Sequence, residues 1–97
     1  MNLRDRSVLV TGGAGFVGSN LVRRLLREQA RVTVLDDLFT GRRDNLPADG
    51  FTFVEGSVCD PPLVEHLVAH AEIVIHAAAR NIVVSTRDPR EDFETNI

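Results

Sequence analysis

Four glycines near the amino terminus have a spacing that can hold a phosphate group. The segment reads Thr11-Gly12-Gly13-Ala14-Gly15-Phe16-Val17-Gly18, and it contains both Gly13-x-Gly15-x-x-Gly18 and Gly12-x-x-Gly15-x-x-Gly18. Glycine allows backbone angles that a Cβ forbids, and it lets a pyrophosphate approach the main chain closely. The spacing alone also fits a plain glycine-rich turn, so the elements around it decide its meaning.

A buried strand is predicted before this loop and an amphipathic helix after it. Residues 7–11 are a short β-branched run, and apolar residues recur at helical spacing over 16–29. A second strand is predicted over 31–35, and Asp36 follows it directly. A carboxylate at that place accepts hydrogen bonds from both hydroxyls of an adenosine ribose and repels a 2′-phosphate. Loop and acid together predict binding of NAD in preference to NADP.

Two neighbouring features leave alternatives open. Arg42 and Arg43 are either a solvated pair in a loop or a binding site for a 2′-phosphate. Asp37 is either a second ribose contact or an ordinary loop residue. The position of Asp36 at the end of the strand favours NAD as the cofactor.

The remainder of the chain alternates helix and strand signals. A loop with a short helical turn is predicted over 36–50, and strands over 51–55 and 73–77. Asp60 is read as an N-cap that precedes two prolines and an apolar helical face. The same signal at Asp88-Pro89 predicts a last helix, which carries Phe93 and Ile97.

This alternation predicts an α/β fold of the Rossmann type. We expect a parallel sheet of about four strands in the order 3-2-1-4, with flanking helices. Residues 1–97 are interpreted as the amino-terminal part of one NAD(P)-binding domain, truncated after the fourth strand. A substrate-side loop is then expected over 81–87, and strand 73–77 is expected to be an exposed apolar edge that promotes self-association.

Composition excludes several classes of function. The 97 residues carry 11 basic and 14 acidic side chains, a net charge of −3, which gives no footprint for nucleic acid. No apolar run is long enough to span a membrane, and no signal peptide is recognised. A single cysteine excludes an internal disulfide and fits a reducing, cytoplasmic location. The chain contains no tyrosine and no lysine, so chemistry that needs a phenol or an amine cannot be completed within it.

Four further side chains are of reactive types: three histidines and the cysteine. His66 and His70 have a spacing that can bind zinc, but no third ligand is evident, and no metal site is predicted. His76 ends a predicted buried strand and is interpreted as packing rather than catalytic. Cys59 is interpreted as a small buried filler.

Several motifs together resemble one protein family over the whole chain. They are the glycine loop, Asp36-Asp37-Leu38-Phe39-Thr40-Gly41-Arg42-Arg43, Gly56-Ser57-Val58-Cys59-Asp60, His76-Ala77-Ala78-Ala79 and Pro89…Asp92…Asn96. In this order and spacing they resemble the extended short-chain dehydrogenase/reductases, the NAD-dependent nucleotide-sugar epimerases and dehydratases such as UDP-glucose 4-epimerase. The resemblance is to the amino-terminal third of such an enzyme.

The resemblance implies a cofactor site of fifteen residues. The implied pyrophosphate and loop positions are Gly12, Gly15, Phe16, Val17 and Gly18, and the implied adenosine positions are Asp36, Asp37, Thr40, Gly41, Ser57 and Val58. The implied positions along the rest of the cofactor are Ala77, Ala78, Ala79 and Asn96. The family usually has aspartate where this chain has Ser57.

The resemblance also implies what the chain lacks. The family's catalytic Ser or Thr and its Tyr-x-x-x-Lys pair, together with the lobe that binds the sugar nucleotide, lie beyond the fourth strand. We therefore expect no catalytic residue here, and a parent enzyme that moves a hydride transiently at a sugar carbon. The partners expected are a dinucleotide, a nucleotide sugar in the parent, and a second copy of the chain. The alternatives are a non-catalytic module that senses NAD and a structural module that self-associates.

Overall fold

A computed structural model gives the fold and describes residues 2–39, 41–77, 82–86 and 95–96. In chain order the elements are β1 (Ser7–Thr11), α1 (Phe16–Arg27), β2 (Arg31–Asp36), β3 (Thr52–Glu55), α2 (Pro61–Ala69), β4 (Ile73–Ala77), β5 (Ile82–Thr86) and β6 (Thr95–Asn96). The short helical turn expected after β2 is the 3-10 turn Arg43–Asn45. The sequence therefore predicts the first four strands and both helices correctly.

The strands form one sheet with β1 near its centre. The order is β3-β2-β1-β4-β5-β6, and the pairs β3-β2, β2-β1 and β1-β4 are parallel. In register, Val10 lies beside Val34 on one side and Ile75 on the other. This confirms the predicted order 3-2-1-4. It also places the carboxyl ends of β1, β2 and β4 at one edge of the sheet, which positions the loops that follow them.

The strand after β4 is a difference from the sequence prediction. Residues 82–86 form β5, which pairs antiparallel with β4 over its whole length, from Ile73 beside Thr86 to Ala77 beside Ile82. The expected loop over 81–87 is therefore wrong for these five residues, and so is the expected open edge at β4. The β-branched run Ile82-Val83-Val84 favours extended backbone and was the signal available in the sequence.

The predicted last helix is also wrong where the structure describes it. Thr95–Asn96 forms β6, which pairs antiparallel with Val83 and Val84 of β5. The N-cap and proline signal marks a helix start only. Propagation of a helix from that start depends mainly on an apolar face that packs against the rest of the protein. Phe93 and Ile97, assigned to that helix, lie outside the described residues.

Both faces of the sheet carry a helix. Side chains alternate along a strand, so β1 directs Val8 and Val10 to the face covered by α1 and Leu9 to the face covered by α2. The first cluster contains Val22 and Leu25 of α1, and the second is completed by half-buried apolar residues of α2. The helices thus hold the strand ends, and the loops after them, in fixed positions.

The two helices begin in different ways. At α2 the Asp60 carboxylate accepts a hydrogen bond from the Leu63 amide at 3.3 Å, as the N-cap prediction requires. Gly15 precedes α1 and provides no side-chain cap. No helix in the described part of the chain is long and apolar enough to cross a membrane.

Leu9 is expected to be one of the main contributors to stability, because it is 1% exposed and joins β1 to the α2 layer. Leu9→Ala should lower the free energy of unfolding by about 2–5 kcal/mol through lost burial and the cavity left behind. Phe39→Ala is the control, since Phe39 is 88% exposed. Its effect should stay within about 0.5 kcal/mol. Urea denaturation measures both, and equal losses would contradict the assigned core.

Candidate functional site

A cavity of about 510 Å³ opens at the carboxyl ends of the parallel strands. β1 has β2 on one side and β4 on the other, so the order of the strands reverses at β1. The cavity lies at this switch point, where sheets of this kind bind ligands. Its lining residues are Thr11, Gly12, Gly15, Phe16, Val17, Gly18, Leu35, Asp36, Asp37, Gly56, Val58, His76 and Ala77. The glycine loop, the end of β2 and the end of β4 therefore meet in one cavity.

Three glycines of the loop are required by the packing of the protein itself. Gly12 has φ +74°, and a Cβ there would overlap the Ala77 carbonyl. A Cβ on Gly13 would lie 2.6 Å from Cγ1 of Val34. A Cβ on Gly18 would overlap the Gly12 carbonyl, so this glycine lets α1 pack directly on the loop. These contacts fix the loop between β1, β2, β4 and α1.

Gly15 differs from the other three glycines. Its φ of −74° and ψ of 174° are open to any residue. A Cβ at this position would meet only the Gly12 carbonyl, at 3.6 Å, which is ordinary van der Waals contact. Gly15 also lines the cavity. The packing of the described residues therefore gives no reason for glycine here.

The start of α1 leaves amide hydrogens available. The first backbone bond of the helix runs from the Ser19 amide to the Gly15 carbonyl at 2.8 Å. Within the part of the chain that the structure describes, the amides of Phe16, Val17 and Gly18 have no acceptor, and the first turn carries no acidic side chain. All three residues line the cavity. Free amides and the helix dipole at this place favour an anion.

Asp36 joins the end of β2 to the glycine loop. The residue is only 8% exposed, and its carboxylate accepts hydrogen bonds from the Ala14 amide at 2.9 Å and the Leu38 amide at 2.7 Å. Each bond uses a different oxygen, so each oxygen keeps further capacity to accept. Asp37 lies next to it, is exposed, and accepts from the Phe39 amide at 2.9 Å. Both carboxylates line the cavity and can accept hydroxyl donors from a ligand.

Sequence reasoning missed four of the lining residues, Thr11, Leu35, Gly56 and His76, as parts of a site. Thr11 and His76 are register neighbours on β1 and β4, and Oγ1 of Thr11 hydrogen-bonds to Nδ1 of His76. His76 is exposed rather than packed in the core, so the packing interpretation is wrong. The register of β1 against β4 was the missing information, because no local pattern in the sequence gives it.

Some predicted site residues lie elsewhere. Gly41 is buried against the backbone of the glycine loop, and Ser57 uses its hydroxyl to accept from the Cys59 amide at 2.9 Å, so neither lines the cavity. Asn96 lies in β6 beside Val83. Thr40, Ala78 and Ala79 are outside the described residues.

Three other side chains considered in the sequence have clear surroundings. The Arg43 guanidinium lies 5.0 Å from the ring centre of Phe51 and 5.3 Å from that of Phe53, and it donates to the Pro47 carbonyl at 3.2 Å. Neither Arg43 nor the exposed Arg42 lines the cavity, which disfavours a 2′-phosphate site. Cys59 is exposed in the turn before α2, so its interpretation as a buried filler is wrong.

The two histidines at the end of α2 contact each other: His66 lies in the helix and His70 follows its last residue. The rings of His66 and His70 are 4.8 Å apart, and Nδ1 of His70 lies 2.8 Å from the His66 carbonyl. Among the described residues, no three side chains of the ligand types come together as a metal site.

The parallel strands β3-β2-β1-β4, with a glycine loop and an acid at their switch point, define a dinucleotide-binding domain of the Rossmann class. Residues 8–97 match the sequence model of the NAD dependent epimerase/dehydratase family. The chain belongs to this family.

Individual relatives agree with the family assignment. The chain is 44% identical over 96 residues to dTDP-glucose 4,6-dehydratase of Mycobacterium tuberculosis, a match that covers 93% of this chain and 29% of that enzyme. It is 41% identical over 95 residues to UDP-glucose 4-epimerase of Mycolicibacterium smegmatis, covering 92% and 30%. The chain thus spans less than a third of the length of these relatives.

Solved structures show the same fold. The Bordetella bronchiseptica enzyme WbmF in complex with NAD+ has a TM-score of 0.73 and 40% identity, over 80% of this chain and 24% of that one. UDP-glucose 4-epimerase of Thermotoga maritima with UDP-glucose has a TM-score of 0.69 and 39% identity, over 76% and 24%. These likenesses confirm the predicted family and the Rossmann-like architecture.

Asp36 should stabilise the protein even when no ligand is bound. Asp36→Asn keeps the shape but replaces one acceptor oxygen with a donor, so either the Ala14 or the Leu38 amide loses its partner. We expect the free energy of unfolding to fall by about 1–3 kcal/mol. Asp37→Asn is the matched control, because that side chain is exposed. Chemical denaturation of both variants should show a much smaller loss for the control, and similar losses would remove the loop-bracing role.

Proposed function

We propose that this chain forms the cofactor-binding part of an NAD-dependent enzyme that acts on a nucleotide sugar, either as an epimerase or as a dehydratase. The observation that carries the proposal is the meeting, in one cavity, of free amides at the start of α1 with the Asp36 carboxylate. The named activities of the relatives, a dehydratase and an epimerase, agree with it. The proposal concerns a protein longer than these 97 residues.

Each end of the adenosine diphosphate half of NAD has proposed partners on this chain. The amides of Phe16 and Val17 donate to the pyrophosphate, and Gly12 and Gly15 leave room for it. Asp36 and Asp37 accept the ribose hydroxyls, while Val58, which is 53% exposed at the cavity, packs on the adenine. Asn96, Thr40, Ala78 and Ala79 stay predictions from the family resemblance, as do Gly41 and Ser57.

Toward the other end of the cofactor, this chain supplies a small residue, Ala77, and the hydrogen-bonded polar pair Thr11 and His76. Ala77 lines the cavity at the end of β4, where a larger side chain would reduce the space. Bound NAD supplies a group that takes up and returns a hydride at a sugar carbon. The chain itself has no tyrosine or lysine, so an acid–base pair of those residues would have to come from sequence outside it.

Three other predictions keep the status they had in the sequence. A nucleotide sugar as substrate is proposed for the longer protein. A homo-oligomer also stays a prediction. The exposed edge of β4 no longer supports it, because β5 pairs with that edge. A cytoplasmic location also stays a prediction. No observation favours a module that only senses NAD or a purely structural module.

Substitution at Gly15 gives the sharpest test of the cofactor site. Gly15→Ala should leave the free energy of unfolding nearly unchanged, because its Cβ clashes with nothing in the protein. It should weaken NAD binding by at least about tenfold, the ratio that about 1.4 kcal/mol represents, since the pyrophosphate needs that space. Titration calorimetry measures the affinity.

Gly18→Ala is the contrasting variant for this test. Its Cβ would overlap the Gly12 carbonyl, so it should destabilise the protein before any ligand is added. Undiminished NAD affinity in a folded Gly15→Ala protein would contradict the placement of the pyrophosphate. Absence of saturable NAD binding to the unsubstituted protein would contradict the proposed function itself.

Discrimination against NADP should depend on the exposed carboxylate beside the ribose site. Asp37→Asn removes one negative charge that would repel a 2′-phosphate, and Asp37 makes only a local bond to the Phe39 amide. The preference for NAD over NADP should narrow by about two- to fivefold, as expected for an exposed charge interaction. Asp44→Asn is the charge-matched control, since Asp44 does not line the cavity. Parallel titrations with NAD and NADP measure the ratio, and equal ratios in both variants would contradict the role of Asp37.

A further inference from the structure

The loop after β2 holds one peptide group of the glycine loop from outside the cavity. Ala14 is fully buried, and its amide donates to the Asp36 carboxylate at 2.9 Å. Its carbonyl accepts two hydrogen bonds, from the Arg42 amide at 3.1 Å and from Nδ2 of Asn45 at 2.9 Å. Neither Ala14 nor Asn45 lines the cavity. The contacts therefore act on the loop and not on a ligand.

The orientation of this carbonyl determines the orientation of the next amide. The Ala14 carbonyl and the Gly15 N–H belong to one planar peptide unit, so fixing one fixes the other. The bond from the Gly15 amide to the Gly12 carbonyl is long, at 3.3 Å, and holds the unit weakly from the other side. The free amides of Phe16 and Val17 follow immediately. The position of these two donors thus depends on the two hydrogen bonds that the Ala14 carbonyl accepts from Arg42 and Asn45.

Asn45 is itself firmly held. Its carbonyl accepts from the Arg23 guanidinium of α1 at 2.7 Å, and its amide donates to the Arg42 carbonyl at 3.0 Å. Leu46, which follows it, is 5% exposed and part of the core cluster under α1. The backbone that carries the side-chain donor is therefore tied to α1 and to the core, the same elements that hold the start of the helix.

Gly41 gives the same peptide unit close packing on the side of this loop. A Cβ at Gly41 would lie 2.7 Å from the carbonyl carbon of Ala14 and 2.9 Å from the Gly15 nitrogen. Both neighbours are backbone atoms, which cannot move aside as the tip of a side chain can. Any side chain at this position would displace the Ala14–Gly15 peptide.

We propose that Asn45 is a positioning residue for the dinucleotide site: its Nδ2–H, through the Ala14 carbonyl, holds the pyrophosphate-facing amides at the start of α1. This inference rests on the proposed function for the identity of the ligand. The brace itself is a property of the ligand-free protein. An ordinary turn residue would affect stability alone, whereas a positioning residue affects the phosphate-binding end of the site selectively.

The test compares Asn45→Asp and Asn45→Ala with Arg31→Ala. Asn45→Asp keeps the shape and loses the donor, and Asn45→Ala loses the donor without adding a charge. Arg31 is the control, because its Nε also donates to a carbonyl, that of Asp5 at 3.1 Å, at the end of β2 opposite the cavity. Arg31→Ala also changes the net charge by the same one unit as Asn45→Asp. NAD and ADP affinities should fall about three- to tenfold in both Asn45 variants, the ratio expected for one hydrogen bond, and stay within about twofold in the control.

Adenosine separates positioning from general damage. It carries no phosphate, so its affinity, measured by NMR shift titration, should be the same in the Asn45 variants as in the unsubstituted protein. Amide hydrogen exchange of Ala14 and Gly15, whose amides donate to the Asp36 carboxylate and the Gly12 carbonyl, should be faster in the ligand-free Asn45 variants than in the unsubstituted protein or the control. Gly41→Ala, which displaces the same peptide by steric overlap, should also lower ADP affinity and speed exchange at the same two amides.

Two results would overturn the inference. One is an equal loss of adenosine and ADP affinity, which would make Asn45 a residue of general stability. The other is unchanged NAD affinity or unchanged exchange at the loop in folded Asn45 variants. If the unsubstituted protein binds no NAD, the proposed function fails, and hydrogen exchange still decides whether Asn45 braces the loop.

Discussion

The buried hydrogen bond between the Asp36 carboxylate and the Ala14 amide connects the two halves of the candidate site. Asp36 is the last residue of β2, and Ala14 lies in the turn that follows β1. The bond therefore attaches the loop after β1 to the end of the neighbouring strand β2. Because the carboxylate is almost fully buried, the bond is costly to break. The same carboxylate still has acceptor capacity toward the cavity. One side chain therefore shapes the loop and presents an acceptor to a ligand.

The conformation of the glycine loop is fixed by several independent contacts with its surroundings. Gly12, Gly13 and Gly18 each lie against β4, β2 or the loop itself, so their lack of a side chain serves packing. The amides at the start of α1 are left free because Gly15 offers no cap. These free amides thus arise because the sequence places glycine in the turn and no acid or hydroxyl at the N-cap of α1.

Local patterns in the sequence were enough for most of the fold. The strand runs, the helical periodicity and the Asp60 cap each depend on neighbours within a few residues, and they predicted β1 to β4, α1 and α2. The loop and Asp36 identified the cavity because parallel strands bring their carboxyl ends together. Contacts between distant residues were not predictable in this way. The pairing of Thr11 with His76 depends on the register of β1 against β4. The contacts of Asn45 with Ala14 and of Arg43 with Phe51 depend on the path of the loop after β2.

The prediction of a last helix was wrong because it used only local patterns. A cap signal at Asp88 marks a place where a helix can start, but pairing with β5 decides the backbone of Thr95–Asn96. Likewise, β5 is visible as a β-branched run but acquires its meaning only as the antiparallel partner of β4. Whether such a segment becomes a strand depends on the sheet edge with which it pairs, and a local sequence pattern does not identify that edge.

The conformation at Gly15 separates two requirements that meet in one loop. Nothing in the packing of the described residues forbids a side chain there, whereas Gly12 and Gly18 are confined by backbone and Gly13 by the Val34 side chain. A methyl group added at position 15 would occupy cavity space and leave the fold intact. The capacity of the cavity can therefore be changed at this position without disturbing the scaffold that forms it.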